Sequence, residues 1–282
     1  MGRVGYNVLM QEDSFRLAVT KGAADHYAMI SDVGELVEDQ GQAVIKGFDA
    51  VVDWDKNDER LIVRFLKMDK KMGGKLGSLQ FDLTGIDVKS GHGRSLKQPI
   101  AKAVGIKRGD AWRPKVLDCT AGLGEDGFLL AAFGCEVTLI EQHPLVYAML
   151  RDAINKAGQG DEGLAEIVGR MDLRPGNAIT TMRELESDAY DVVYLDPMYP
   201  EKKRHVSART KKSIWFLRQL LGHDEADSDN TVGLFEQAIA VANKRVVVKR
   251  PNHAPPLINE AHKKPEASHK GKSFRFDVYP RH

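Results

Sequence analysis

The sequence predicts an α/β protein. A mainly parallel sheet with helices on both faces is expected over residues 91–282, preceded by a small α+β domain over residues 1–90. Three observations carry this expectation. Short apolar strands alternate with helical stretches in the second part, a glycine-rich loop joins the first of those strands to a helix, and an Asp-Pro turn follows a later strand. Parallel neighbours cannot be joined by a tight hairpin, so strand–helix alternation is the pattern their crossovers leave in a sequence.

In the first part, Ala23–Ile30 reads as a short helix, and Leu61–Leu66 and Leu79–Leu83 read as strands around a Lys70–Gly74 turn signal. Gly91-His92-Gly93-Arg94 marks the boundary. Ser95 is expected to cap a helix running to Val104 and closed by Gly105. Strands follow at Val116–Asp118, Glu136–Ile140, Asp191–Asp196 and Arg245–Lys249. Helices are expected at Asp126–Phe133 with Gly134 as C-cap, at Pro144–Ala157 and at Leu234–Ala242. Phe274–Tyr279 alternates apolar and polar residues, as a late antiparallel strand does.

The chain carries 41 Lys plus Arg against 40 Asp plus Glu, so charge alone does not draw it to nucleic acid or an anionic membrane. Any polyanion must meet a local basic surface. Two cysteines, Cys119 and Cys135, cannot build a disulfide framework; they are expected as small core residues in a reducing, cytoplasmic setting. No apolar run reaches the roughly 18 residues that span a bilayer. Position 6 is Tyr, which breaks a myristoylation pattern at Gly2. The nine His are scattered without Cys-x-x-Cys or His-x-x-x-His pairs, so no metal site is expected.

Gly122, Gly124 and Gly127 fit G-x-G-x-x-G between a strand and a helix, where a ligand approaches bare backbone. Glu141 ends the next strand, placed to accept from ribose hydroxyls. Alone, this pattern also suits a NAD-linked oxidoreductase. Two features favour S-adenosylmethionine (SAM). Asp118 ends the strand before the loop, where a carboxylate repels a pyrophosphate and attracts an ammonium. Glu125 and Asp126 put two further carboxylates in the first helical turn, which spoils it as a phosphate cradle. Asn177, after the third strand candidate, can both donate to and accept from an adenine.

Asp196-Pro197-Met198-Tyr199-Pro200 has the form of the (Asp/Asn)-Pro-Pro-(Tyr/Phe) device of amino-directed methyltransferases, with Met198 in the second proline's place. An exocyclic amine is a poor nucleophile because its lone pair is delocalised into the ring. Hydrogen bonds to Asp196 and a backbone carbonyl would turn that lone pair outward. Pro197 stiffens the turn, and Tyr199 offers a face for base stacking worth about 1–3 kcal/mol. Lys202, Lys203, Arg204, Arg209, Lys211, Lys212 and Arg218 follow, interleaved with His205, Trp215 and Phe216, as an RNA backbone requires. Lys249 and Arg250, at the carboxyl edge of the sheet, are further candidates for RNA phosphate contact or plain edge charges.

Together, Asp118–Gly124, Leu195–Pro200 and the run Arg245-Val-Val-Val-Lys-Arg-Pro-Asn-His-Ala-Pro-Pro-Leu257 resemble the bacterial small-subunit ribosomal RNA guanine-N2 methyltransferases of the RsmJ (YhiQ) family; Ala101–Lys107 does so too. The resemblance covers about residues 70–282. It implies a Rossmann-like class I SAM-dependent methyltransferase fold with a seven-stranded sheet. It also implies methylation of the N2 amine of guanine 1516 of 16S ribosomal RNA, naked or in the small subunit. By position, it implies cofactor contacts at Glu125-Asp126, Glu141-Gln142, Asn177-Ala178 and Asp196. The family often has a basic residue at the position of Glu125 and Ser at that of Asn177. DNA adenine-N6 or protein-glutamine methylation, and a non-catalytic RNA-binding role, are the competing readings of the same residues.

Overall fold

The computed structural model describes residues 15–67, 77–90, 93, 95–197, 212–221, 228–261 and 264–281. They fall into two compact units, one drawn from Met1–Leu79 with Ala208–Gly222, the other from Gln80–Ser207 with His223–His282. Residues 80–90 therefore pack with the second unit, whereas the sequence-based boundary sets them in the first.

The first unit contains β1 (Leu17–Thr20), α1 (Lys21–His26), a 3-10 turn (Ala28–Ile30), β2 (Glu35–Val37), α2 (Gln40–Ile45), β3 (Ala50–Asp55), β4 (Arg60–Phe65) and β5 (Ser78–Leu79). The sheet order is β2-β1-β3-β4-β5, parallel across β2, β1 and β3 and antiparallel from β3 onward. The single helix expected over Ala23–Ile30 is broken. Thr20 caps α1 by accepting from the Ala23 amide, and Tyr27 leaves helical geometry at φ −138°. Helix α2 starts at Asp39, whose carboxylate accepts from the Gln42 amide.

The second unit continues with α3 (Pro99–Ala103), β6 (Lys115–Asp118), α4 (Glu125–Ala132), β7 (Glu136–Glu141), α5 (Pro144–Gly158), α6 (Glu162–Val168), β8 (Met171–Pro175), α7 (Ala178–Arg183) and β9 (Tyr190–Leu195). Helix α8 (Lys212–Leu221) belongs to the first unit; α9 (Ser228–Val241), β10 (Ala242–Pro251), β11 (Ala267–Lys270) and β12 (Phe274–Pro280) complete the second. Its sheet has the order β11-β12-β10-β9-β6-β7-β8, with β12 antiparallel to both β10 and β11 and the rest parallel.

Three expectations shift here. The strand expected at Leu79–Leu83 stops at Leu79, and Phe81 and Leu83 are buried beyond its end. Asp82 between them accepts from the Thr84 amide and hydroxyl, a local turn that competes with a strand. The helix expected from Ser95 begins only at Pro99, because a proline disfavours helical geometry in the residue before it; Gln98 sits at ψ 141°. Of the rings interleaved with the basic residues, His205 lies outside the described residues and the other two turn to the protein. Phe216 is fully buried, and it and Trp215 pack edge-on against Phe15 and Phe65 in the core of the first unit.

Strand β6 is where the strand order reverses: the chain runs outward from it to β7 and β8 on one side and to β9 and β10 on the other. That reversal opens a crevice at the carboxyl ends of β6 and β9, where ligands bind in sheets of this kind. The strands around it are buried on both faces: Val192–Leu195 and Val246–Val248 have no exposed residue. Both-face burial explains their uninterrupted apolar runs. No helix of the described residues is long and apolar enough to cross a membrane.

Candidate active site

The register of β6, β9 and β10 brings three chemistry-bearing strand ends together: Asp118 lies opposite Tyr194, and Leu195 opposite Val248. Asp196 and Lys249 therefore sit one residue beyond Leu195 and Val248, and Thr120 two beyond Asp118, at the same edge. The Asp196 amide donates to Thr120 Oγ1 at 2.7 Å, which ties the Asp-Pro turn to the glycine loop. The Thr120 amide in turn donates to Asp118 Oδ1 at 3.0 Å.

The loop is made by glycines in left-handed geometry, which L side chains rarely adopt. Gly122 has φ +52° and Gly124 φ +73°, and Gly124 precedes α4 as its N-cap. A Cβ on Gly124 would lie 2.4 Å from Leu150 Cδ1, inside the core, whereas one on Gly122 would meet only the Thr120 carbonyl, at 3.7 Å. The Gly122 amide donates to Glu141 Oε2 at 3.0 Å, and the His143 amide to Glu141 Oε1 at 2.8 Å. The Gln142 amide is a third backbone donor to this carboxylate, which retains acceptor capacity for one more. Burial raises the Glu141 pKa against the opposing backbone amides. Burial also pushes the His143 ring down to about 4, so it is neutral.

Beyond β7 and β8, Asn177 Nδ2 donates to Gln142 Oε1 at 3.0 Å. Asn177 Oδ1 caps α7 by accepting from Ile179 and Thr180. Its acceptor oxygen is thus used inside the protein, and the Gln142–Asn177 pair lies exposed at the edge next to buried Ala178. Glu125 is exposed at the start of α4.

Asp126 is held from two sides. Its Oδ2 accepts from the Tyr194 hydroxyl at 2.6 Å and pairs with Lys249 Nζ at 2.6 Å. Lys249 Nζ also lies 3.0 Å from Asp196 Oδ2. Side-chain exposure runs 17% for Lys249, 21% for Asp126 and 39% for Asp196, so of this cluster Asp196 is the group an incoming molecule reaches. Asp118 is buried. Burial pushes its carboxyl up to about 7, the Thr120 amide opposes this, Asp126 and Asp196 add to it, and Lys249 opposes it.

Lys249 and Arg250 are corrected by this geometry. Lys249 is engaged internally, and Arg250 is buried with its Nε donating to the Pro255 carbonyl, so neither presents a surface cation to phosphate. Met198, Tyr199, Lys202, Lys203, Arg204, Arg209 and Lys211 lie outside the described residues; Lys212 is the first residue of α8. Thr120 and Tyr194 are partners that sequence reasoning missed. Thr120, two residues past a strand-ending Asp, had a turn-forming signature; Tyr194 had no signal, since an apolar strand hides which residue carries a useful hydroxyl.

Cys119 and Cys135 are buried and free. Burial pushes Cys135 up to about 12 and Cys119 upward as well, which makes both poor nucleophiles. No group of three or more His, Cys, Asp or Glu among the described residues is arranged to hold a metal ion.

The residues present fit SAM. Positive-φ glycines leave bare backbone at the loop, Glu141 and the exposed Gln142–Asn177 pair present polar groups at the adjoining strand ends that a nucleoside could use, and the buried carboxyl of Asp118 favours a nearby ammonium. A pyrophosphate fits poorly, because the first turn of α4 carries the two carboxylates of Glu125 and Asp126. Gly124→Val is expected to lower stability by about 1–3 kcal/mol, through strained backbone and a clash with Leu150. It should also abolish SAM binding. Urea unfolding and titration calorimetry read the two effects.

A family model described as "Putative SAM-dependent methyltransferase" matches residues 53–281. The chain is 50% identical over 184 residues to the ribosomal RNA small subunit methyltransferase J of Pseudomonas paraeruginosa, covering 65% of this chain and 66% of that protein. It is 48% identical over 183 residues to the protein of the same name from Thioalkalivibrio sulfidiphilus, covering 64% of this chain and 67% of the relative. The aligned stretch thus spans about two thirds of these relatives' length. A crystal structure of a SAM-dependent methyltransferase from Neisseria gonorrhoeae is similar at a TM-score of 0.60 and 27% identity, over 94% of this chain and 96% of that one.

Proposed function

The chain belongs to this family of SAM-dependent methyltransferases and has their Rossmann-like class I fold, and from that premise we propose that it methylates ribosomal RNA of the small subunit, at the N2 amine of one guanine. The observation that carries the amine reading is Asp196. Its carboxylate is the most accessible member of a partly buried charged cluster at the cofactor edge, on a turn braced by Thr120. The names of the curated relatives support ribosomal RNA as the substrate class.

Bound SAM would supply a methyl group activated on a sulfonium, whose S–C bond breaks to leave a neutral thioether. The protein's part is positioning. Asp196 accepts a hydrogen bond from one N–H of the guanine amine and so turns the nitrogen lone pair toward the methyl carbon. As the new N–C bond forms, the nitrogen sheds a proton, which Asp196 is placed to receive. Pro197 keeps the turn stiff, and Tyr199 stacks the base. Asp118 and Glu141 hold the cofactor's ammonium and ribose, Gly122 and Gly124 admit it, and Glu125, Asp126, Gln142, Asn177 and Ala178 border it. A base inside a duplex cannot reach Asp196, so a loop or single-stranded target is favoured. Phosphates fall to Lys202, Lys203, Arg204, Arg209, Lys211 and Lys212. Lys249 and Arg250 drop out of that set.

The test is methyl transfer from labelled SAM to small-subunit RNA from a strain lacking the protein, with DNA and protein offered separately. Label is expected in RNA, in a nuclease fragment whose mass and retention match N2-methylguanosine. Label in DNA or protein but not RNA overturns the proposal. Label in RNA at another nucleotide leaves RNA methylation standing and overturns the guanine-N2 assignment.

A further inference from the structure

Lys249 has two carboxylates as partners and a ring as a lid. Its Nζ lies 2.6 Å from Asp126 and 3.0 Å from Asp196, and it sits 5.1 Å from the centroid of the Phe274 ring. Asp126 comes from the first turn of the helix that opens at the cofactor loop; Asp196 comes from the end of β9. One cation therefore joins the cofactor side of the site to the acceptor side. Two carboxylates this close to a common point would repel and could not both stay ionised without it.

We propose that Lys249 is a positioning residue for methyl transfer, holding Asp196 ionised and aimed as the amine's hydrogen-bond acceptor while tying the acceptor turn to helix α4. This rests on the reading of Asp196 as the amine acceptor. Among the described residues, the charged and titratable groups facing Asp196 are Asp118 from β6, Asp126 from α4, Tyr194 from β9, and Lys249 and Arg250 from β10. Burial raises Asp196, Lys249 opposes it most, Asp126 adds to it, and Arg250 opposes it weakly. For Lys249 itself, burial disfavours the charge, but Asp196 and Asp126 outweigh it and raise the pKa, so the ammonium persists through the working pH range.

The sign follows. Protonated Asp196 is a weaker acceptor for the amine N–H and cannot take up its proton. Removing the Lys249 charge raises the Asp196 pKa, so the acid limb of the kcat profile moves to higher pH. Lys249→Met is expected to shift that limb upward by about 1–3 units. Its kcat at pH 7 should fall about tenfold or more. KM for RNA and the Kd for SAM should stay near those of the unsubstituted protein. Lys249→Arg keeps the charge and is expected to restore the limb position. Asp126→Asn placed in the Lys249→Met background removes the competing anion and should move the limb part of the way back. A merely structural lysine would not give a shift that the charge-conserving variant reverses.

An unshifted acid limb in Lys249→Met overturns the proposal, as does a loss that appears only in KM for RNA, which would return Lys249 to phosphate binding. Should Lys249→Met fail to fold by circular dichroism, Lys249→Gln is read by the same criteria. The underlying reading fails separately: full turnover in Asp196→Ala removes the acceptor role, whatever Lys249 does.

Discussion

Asp196→Ala is expected to lose about 10²–10⁴-fold in kcat while SAM and RNA affinities change little. The substitution removes the acceptor and leaves its surroundings in place. The bond from the residue 196 amide to Thr120 Oγ1 is a backbone bond that alanine keeps, so the turn stays tied to the glycine loop. Lys249 retains Asp126 as a partner and is not left as an isolated buried charge. The loss should therefore fall on the chemical step. Single-turnover kinetics at saturating RNA, with calorimetry for SAM, separate the step from binding. Asp196→Asn is a sharper companion: it keeps an acceptor oxygen and loses the charge, so it should lie between alanine and the unsubstituted protein, with no acid limb from residue 196. Unchanged turnover in the alanine variant would remove Asp196 from the mechanism.

The second large effect lies in the loop after β10. Arg275 is buried, with Nε 2.8 Å from the fully buried Asp277 Oδ1, and its other nitrogens donate to the carbonyls of Pro251, Asn252 and Ala254. Ser268 Oγ completes the carboxylate's partners at 2.6 Å. Arg275→Met is expected to destabilise the protein by about 3–5 kcal/mol, because it strands a buried charge. The three carbonyls lose a charged donor in the same stroke. The midpoint of urea unfolding measures this, and a change under about 1 kcal/mol would show that the cluster is not needed for the fold. Activity should fall with it, since these carbonyls shape the Pro251–Leu257 loop next to Lys249. The cluster also gives the Arg-Pro-x-x-Ala-Pro-Pro-Leu run a physical reason. Arg250 and Arg275 clasp its carbonyls, and the Tyr279 hydroxyl donates to that of Leu257 at 2.8 Å.

Much of the second unit was legible residue by residue. Gly105 and Gly134, at φ +91° and +94°, end their helices where glycine permits a left-handed residue. Strands β9 and β10 announce themselves as apolar runs, since a parallel strand is covered on both faces. The alternation of Phe274–Tyr279 gives an antiparallel partner, found on β10. The first unit was far less legible. Strands β1, β2 and β3 are three to six residues long, and Leu17–Thr20 and Ala50–Val52 are too short to show a period. Helices α6 and α7 were missed for the same reason, although Asp161 and Asn177 carry plain cap signals.

What the sequence determined by itself was the chemistry available at each strand end: the acid before a glycine loop, the acid after the next strand, the Asp-Pro turn. These are local patterns, and local sterics make them readable: a left-handed turn needs glycine and a stiff turn needs proline. Only the tertiary structure decided which charge meets which. Lys249 reads as an edge cation because nothing in its neighbourhood along the chain contains Asp126, 123 positions away, or Asp196. The pairing of β10 with β9, and of β9 with β6, carries them to one point. There, burial makes the pairing of charges obligatory, and a residue expected to reach outward to phosphate is turned inward to the carboxylate beside it.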